Sequence, residues 1–203
     1  SKAGALGRLA DIGFKNIVLY NPHGWAFNMN NISVIKKKVY ALIEKVLAYK
    51  TNMIIAISAW EKESAIKYKI CCSDKIHIIP SGVDVCLYDE ERGRYDLNRS
   101  KLKIPLNAYI IGMVGRISYG KGPDLFIKAA ALIKEKIPNA FFVIVGDGEE
   151  RASVENLLSE MRLKDDFLIT GWVSNPIEYI QLFDQAMLLT RWEGFGLVLT
   201  EYM

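Results

Sequence analysis

Apolar residues run through this chain in short blocks, and their spacing divides it into two stretches of different regularity. Beyond Leu106 uninterrupted runs alternate with helical patterns. The runs at 109–114, 141–145, 167–170 and 186–190 have the length of strands and the continuity of strands buried on both faces. Between them the pattern predicts a helix from Pro123 to about Lys136, another after Gly146-Asp147-Gly148 to about Arg162, and a short one near Pro176. Four such βα units predict a parallel, doubly wound sheet. Before Leu106 the signal is looser. Residues 1–13 read as a helix stopped by Gly13, and 16–20 as a strand ending in Asn21-Pro22-His23-Gly24. Ile32, Ile35, Val39, Leu42, Ile43, Val46 and Leu47 recur at helical spacing up to about Tyr49. A buried strand at 53–58 ends on Ser58, a plausible N-cap, and a strand at 75–79 is closed by Pro80-Ser81-Gly82. From Val83 to Leu106 the chain turns polar and irregular. The expected organisation is therefore 1–84, a linker at 85–106, and 107–203.

Composition narrows the class without naming it. Hydrophobic residues at 51% and charged residues at 24% fit a soluble globular protein. A net charge of +3 is too mild to argue for nucleic acid. Cys71 and Cys72 are adjacent and Cys86 stands apart, so neither metal spacing nor a disulfide framework emerges. A reducing, cytoplasmic setting is the default. No apolar run is long enough to span a bilayer, and no signal peptide is visible. The run Lys36-Lys37-Lys38 reads first as a solvated face and second as a contact for anionic lipid at the inner face of the plasma membrane. The chain starts at Ser1 in mid-pattern and stops at Met203 just after a helix has opened, so a fragment is expected.

The unusual groups gather where the later strands end. Arg116 and Lys121 follow the first, Asp147 the second, Gly171 to Val173 the third, and Glu193 the fourth. Ligands of open α/β sheets bind at that edge. In the stretch Arg191-Trp192-Glu193-Gly194-Phe195-Gly196-Leu197-Val198-Leu199-Thr200-Glu201, the glycines open a helix whose free N–H groups suit a phosphate. Glu193 lies in the turn, and Glu201 about a turn and a half into the helix, on the order of 8 Å along its axis. The two carboxylates can bind hydroxyls on either side of a diphosphate, a layout that suits a nucleotide-sugar. An ordinary turn with two solvated glutamates has the same spacing.

Arg116 and Lys121 can neutralise a diphosphate leaving group. Their loop is also nearly a Walker A loop, Gly115-x4-Gly120-Lys121, but position 122 is glycine where Mg²⁺ needs Ser or Thr. No Asp-x-Asp pair occurs either. A P-loop-type NTPase is the lesser alternative. His23 can donate to a sugar hydroxyl or help a phosphate leave, or serve as a local hydrogen-bond partner. His77 alternates with apolar positions and reads as a surface histidine.

Four segments, in order, resemble the family 4 (group 1) retaining glycosyltransferases of the GT-B fold. They are Pro22-His23-Gly24-Trp25-Ala26-Phe27; Ile55-Ala56-Ile57-Ser58 with Ile79-Pro80-Ser81-Gly82-Val83-Asp84; Gly115-Arg116 with Lys121-Gly122; and Glu193-Gly194-Phe195-Gly196 with Glu201. The resemblance implies two Rossmann-like parallel-sheet domains, both incomplete here because the family's opening strand and Gly-rich loop are absent and the end of the second domain is cut. It implies that Arg116 and Lys121 hold the donor's diphosphate, helped by the N–H groups of Leu197 and Val198. Glu193, with Phe195 and Gly196, would hold the donor sugar, Glu201 the ribose, and Val173 the base. His23 would reach the transferring sugar. The implied reaction is metal-independent hexosyl transfer with retention, from a nucleotide-diphosphate sugar (UDP weakly favoured) to a saccharide or lipid-linked acceptor in bacterial surface or capsular polysaccharide synthesis. No cofactor is implied. A non-catalytic GT-B binding subunit is the alternative from another class.

Overall fold

The computed structural model describes residues 2–83 and 98–203. Their contacts form two units, one within Ser1–Gly82 together with Trp192–Gly196, the other within Val83–Arg191 together with Leu197–Met203.

The first unit runs α1 (Lys2–Ala10), β1 (Leu19–Tyr20), a 3-10 turn at Ala26–Asn28, α2 (Val34–Ala48), β2 (Met53–Ala56), α3 (Ala59–Lys67) and β3 (Ile76–Ile78). The three strands pair in parallel in the order β1-β2-β3. Tyr20, Trp25, Phe27, Ile54, Ala56 and Ile76 are among its core, where Trp25 stacks on Phe27 with ring centroids 5.2 Å apart. Ser58 caps α3 as expected, accepting from the Glu61 N–H at 3.2 Å. His77 is exposed, also as expected.

Two expectations need correction here. The strand expected at 16–20 is regular only at Leu19–Tyr20, because only those residues pair with β2 at Met53 and Ile54. Val18 is held instead by Asn52, whose side-chain carbonyl accepts from the Val18 N–H at 2.8 Å. The helix expected over 32–49 forms, but most of its apolar stripe does not face the core. Ile35, Val39, Leu42, Ile43 and Val46 are exposed, while Ala41, Glu44, Leu47 and Ala48 are buried. The buried face carries an ion pair. Arg8 of α1 is 2% exposed and donates to Glu44 at 2.7 Å, with its guanidinium 3.7 Å from the centre of the Tyr20 ring. A buried charge is tolerated only when paired, so α2 turns its glutamate inward to meet the arginine.

The second unit runs β4 (Tyr109–Val114), α4 (Pro123–Lys134), β5 (Ala140–Val145), α5 (Arg151–Glu160), β6 (Phe167–Ile169), α6 (Ile177–Ile180), β7 (Gln185–Ala186) and α7 (Leu197–Glu201). All pairings are parallel, in the order β6-β5-β4-β7. Every residue of β5 is buried, as its unbroken apolar run requires. One layer of side chains, including Phe126, Phe142 and Ile144, packs under α4 and α5. The opposite layer holds Ile110, Val143 and Val145. That second layer also takes Ile104, with Leu102 partly buried against it, so the expected linker contributes to this core at those residues. Arg99 donates to the carbonyls of Leu106 at 3.0 Å and Ala108 at 2.6 Å. Residues 85–97 of that expected linker lie outside the described residues.

The strand expected at 186–190 is a correction as well. Only Gln185–Ala186 pairs, and the segment is half-buried, because it lies at the edge of the sheet. The helix after Gly196 begins where expected, at Leu197, but has five residues and ends at Glu201. Glu201 is its fifth residue, about a turn and a half in, as expected.

Candidate functional site

In the second unit the loop after β4 carries two of the expected groups. Gly115 continues the ladder, its N–H donating to Val145 at 3.0 Å, and Ile117 turns inward and is fully buried. That leaves Arg116 pointing outward, its side chain largely exposed, with Nε 2.9 Å from Glu149. An exposed pair of this kind contributes little and yields readily to a stronger anion. Lys121 ends a short 3-10 turn, and its stem folds back over Gly115, where an added Cβ would sit 3.9 Å from Lys121 Cδ. Gly122 then adopts φ +69° directly beneath the Leu189 carbonyl, and Pro123 starts α4.

A cleft of about 440 Å³ opens beside this loop at the carboxyl ends of β4, β5 and β6. Arg116 and Val173 both line it, with Asp147 and Trp172. The structure thus brings Arg116 and Val173, expected at the diphosphate and the base, to one cleft, which Lys121, Leu197 and Val198 do not line. Trp172 is exposed, and the sequence had not singled it out. Leu197 and Val198 open α7, where their main-chain N–H groups have no partner within the helix, and Glu201 lies on the same helix.

Two groups the sequence did not flag set this loop's shape. Arg191 reaches Asp124 with both nitrogens, at 2.8 and 2.6 Å, and donates to the Tyr119 carbonyl at 2.8 Å. Its guanidinium lies 4.1 Å from the Tyr119 ring centre, and its own N–H donates to Gly120 at 2.8 Å. The Arg191 hydrogen bond holds the Asp124 carboxyl below the usual carboxylate range, and Asp124 in turn raises Arg191. A planar guanidinium is the group that can fill such a fork and lie over a ring at once. Tyr202 closes the other flank: its oxygen accepts from the Val114 N–H at 2.8 Å, and burial pushes its pKa up to about 12. No local pattern announces either contact, since partners lie 67 and 88 residues away.

In the first unit His23 is exposed at φ +48°, followed by Gly24 at +103°. The His23 N–H donates to the Asn21 side chain at 3.3 Å, which makes the bend an Asx-type turn. Trp25 and Phe27, next along, are core residues. The Glu193 segment belongs to the same unit, and an added Cβ on Gly194 would meet Ile57 Cδ1 at 3.0 Å and the Gly24 nitrogen at 3.4 Å. His23 and Glu193 are thus borne on adjoining turns, and Phe195 and Gly196 follow on the same segment.

Both units are parallel α/β, and the solved structures that superpose on the chain give it the GT-B fold of glycosyltransferases. The structure of Anabaena HepE with UDP and glucose superposes with a TM-score of 0.83 at 20% identity, over 99% of this chain and 54% of that one. The structure of WaaG, from lipopolysaccharide biosynthesis, gives 0.75 at 17%, over 99% and 60%. The model of the glycosyl transferases group 1 family matches residues 95–203, more than half of the chain. The chain belongs to that family. An Escherichia coli relative, UDP-Gal:alpha-D-GlcNAc-diphosphoundecaprenol alpha-1,3-galactosyltransferase, is 34% identical over 99% of this chain and 53% of its own length. The Staphylococcus aureus capsular glycosyltransferase CapM is 27% identical over 98% and 53%. The chain spans about half the length of the curated relatives it matches.

Proposed function

We propose that the enzyme containing this chain transfers a hexosyl group, with retention, from a UDP-sugar to a lipid-linked saccharide during surface polysaccharide synthesis. The observation that carries the reading is the cleft at the carboxyl ends of β4, β5 and β6, lined by Arg116 and Val173 with the Lys121 loop beside it. In this reading Arg116 and Lys121 take the diphosphate, aided by the Leu197 and Val198 N–H groups, and Val173 takes the base. Glu193, Phe195 and Gly196 take the donor sugar, Glu201 takes the ribose, and His23 acts on the transferring sugar. The cations stabilise the charge that the leaving diphosphate gains, and its own oxygen receives the acceptor's proton. No divalent metal takes part, since Lys121 is followed by glycine and the sequence lacks Asp-x-Asp. The name of the E. coli relative supports the choice of donor and acceptor class. Such an acceptor puts the work at the inner face of the plasma membrane, which suits the Lys36-Lys37-Lys38 run of α2. No described helix is long and apolar enough to cross a membrane.

Calorimetric titration of the whole enzyme with UDP, GDP, ADP and ATP, in EDTA and then in Mg²⁺, tests this. UDP should bind without metal, and Arg116→Ala should weaken it by roughly tenfold or more, the range of a lost charge-assisted pair. Glu193→Ala should lower sugar transfer by roughly a hundredfold. Binding of a triphosphate only with Mg²⁺ would overturn the reading in favour of a P-loop. Unchanged transfer by Glu193→Ala would remove that residue from the site.

A further inference from the structure

The first unit buries a carboxylate that the proposed reaction does not use. Glu61, in the first turn of α3, has no exposed surface. One of its oxygens accepts from the Gly24 N–H and the other from the Ile57 N–H at 2.8 Å. Its main-chain carbonyl accepts from the Trp25 indole at 2.9 Å. Burying an acceptor-only group is unfavourable unless both oxygens are matched. Here both partners are main-chain donors in irregular backbone: Gly24 follows His23 in the positive-φ bend, and Ile57 joins β2 to α3. These are also the two residues on which Gly194 rests. One side chain therefore fixes the His23 turn and the seat of the Glu193 turn.

We infer that Glu61 is a positioning residue, holding the His23–Gly24 bend in the conformation that aims His23 at the transferring sugar. The inference rests on the proposed role of His23. A glutamine has the same shape but one acceptor oxygen and an NH₂, which would face one of the two N–H groups donor to donor. The bend would then shift, and a displacement of about an ångström at a reacting group can lower the rate on the order of a hundredfold. A capping role alone would only stabilise α3.

The test is a double-mutant cycle on the whole enzyme: wild type, Glu61→Gln, His23→Ala and the double variant, with kcat, donor and acceptor KM, and thermal midpoint for each. His23→Ala should lower kcat by roughly 10²–10⁴-fold. Glu61→Gln should lower kcat by roughly 10–100-fold with KM values within about threefold. In the double variant the Glu61 loss should largely vanish, leaving kcat within about threefold of His23→Ala. Losses that multiply would mean that Glu61 only stabilises the unit, and would overturn the inference while leaving the role of His23 standing. Wild-type kcat in His23→Ala would overturn both. Should Glu61→Gln fail to fold, Gly24→Ala replaces it, because an added Cβ there has no atom within 4 Å and perturbs the bend through φ alone. It should show the same non-multiplicative loss with His23→Ala. Wild-type kcat in Gly24→Ala would sink the inference.

Discussion

The bend at His23–Gly24 and the loop from Gly115 to Gly122 both leave the carboxyl end of a parallel strand, and both bear groups of the proposed site. The first is open on the side that a Gly24 side chain would take. No atom lies within 4 Å of a Cβ added to Gly24, and the bend's shape depends on the polar brace of Glu61 beneath it. The second is crowded. A Cβ on Gly122 would lie 2.2 Å from the Leu189 carbonyl, and Arg191 laces the loop's carbonyls to α4. The roomy turn is held by hydrogen bonds donated to one buried carboxylate, while the packed loop is held by the Arg191 contacts and leaves no room for a side chain at Gly122.

That contrast can be broken by adding a methyl group to each. Gly122→Ala combines a backbone clash with φ +69° and should cost about 3 kcal/mol or more. Gly24→Ala meets only strain and should cost about 1–2 kcal/mol. Urea unfolding of the two variants checks the order, and equal losses would refute the contrast. Next in size, Arg191→Ala removes a bidentate pair and the donor to the Tyr119 carbonyl, and should cost about 2 kcal/mol. It should also weaken UDP binding through the loosened Lys121, which isothermal titration would read. The smallest effect concerns pH. Asp124's folded-state pKa lies below its unfolded one, so its stabilising contribution is present above about pH 4 and fades as pH falls through the folded value. The unfolding gap between wild type and Arg191→Ala should therefore narrow from pH 7 to pH 3.

What the sequence made legible follows the same physics. β4, β5 and β6 were readable because strands covered on both faces are uninterrupted apolar runs. The positions of Arg116 and Lys121 after β4 and of Val173 after β6 followed from that reading, whereas the strand expected before Glu193 pairs only at Gln185–Ala186. The first unit was less legible because its apolar spacing misleads. In α2 the buried positions include Glu44, whose partner Arg8 lies 36 residues away, beyond the reach of any periodicity. Arg191 and Tyr202 were hidden for the same reason. Glu61 had a local signal that went unread: Ser58-Ala59-Trp60-Glu61 has the spacing of a capping box, whose glutamate reaches back to main-chain N–H groups.

The outward stripe of α2 has a practical consequence for anyone handling this chain in water. Ile35, Leu42 and Val46 lie open on it, Ile17 and Leu19 are exposed on the segment that includes β1, and β1 is an edge strand of its sheet. Exposed apolar side chains and an unpaired strand edge each favour self-association. Concentrated samples of the isolated 203 residues should bind hydrophobic dyes, scatter light and recruit chaperones, and charged substitutions at Ile35 or Val46 should relieve all three.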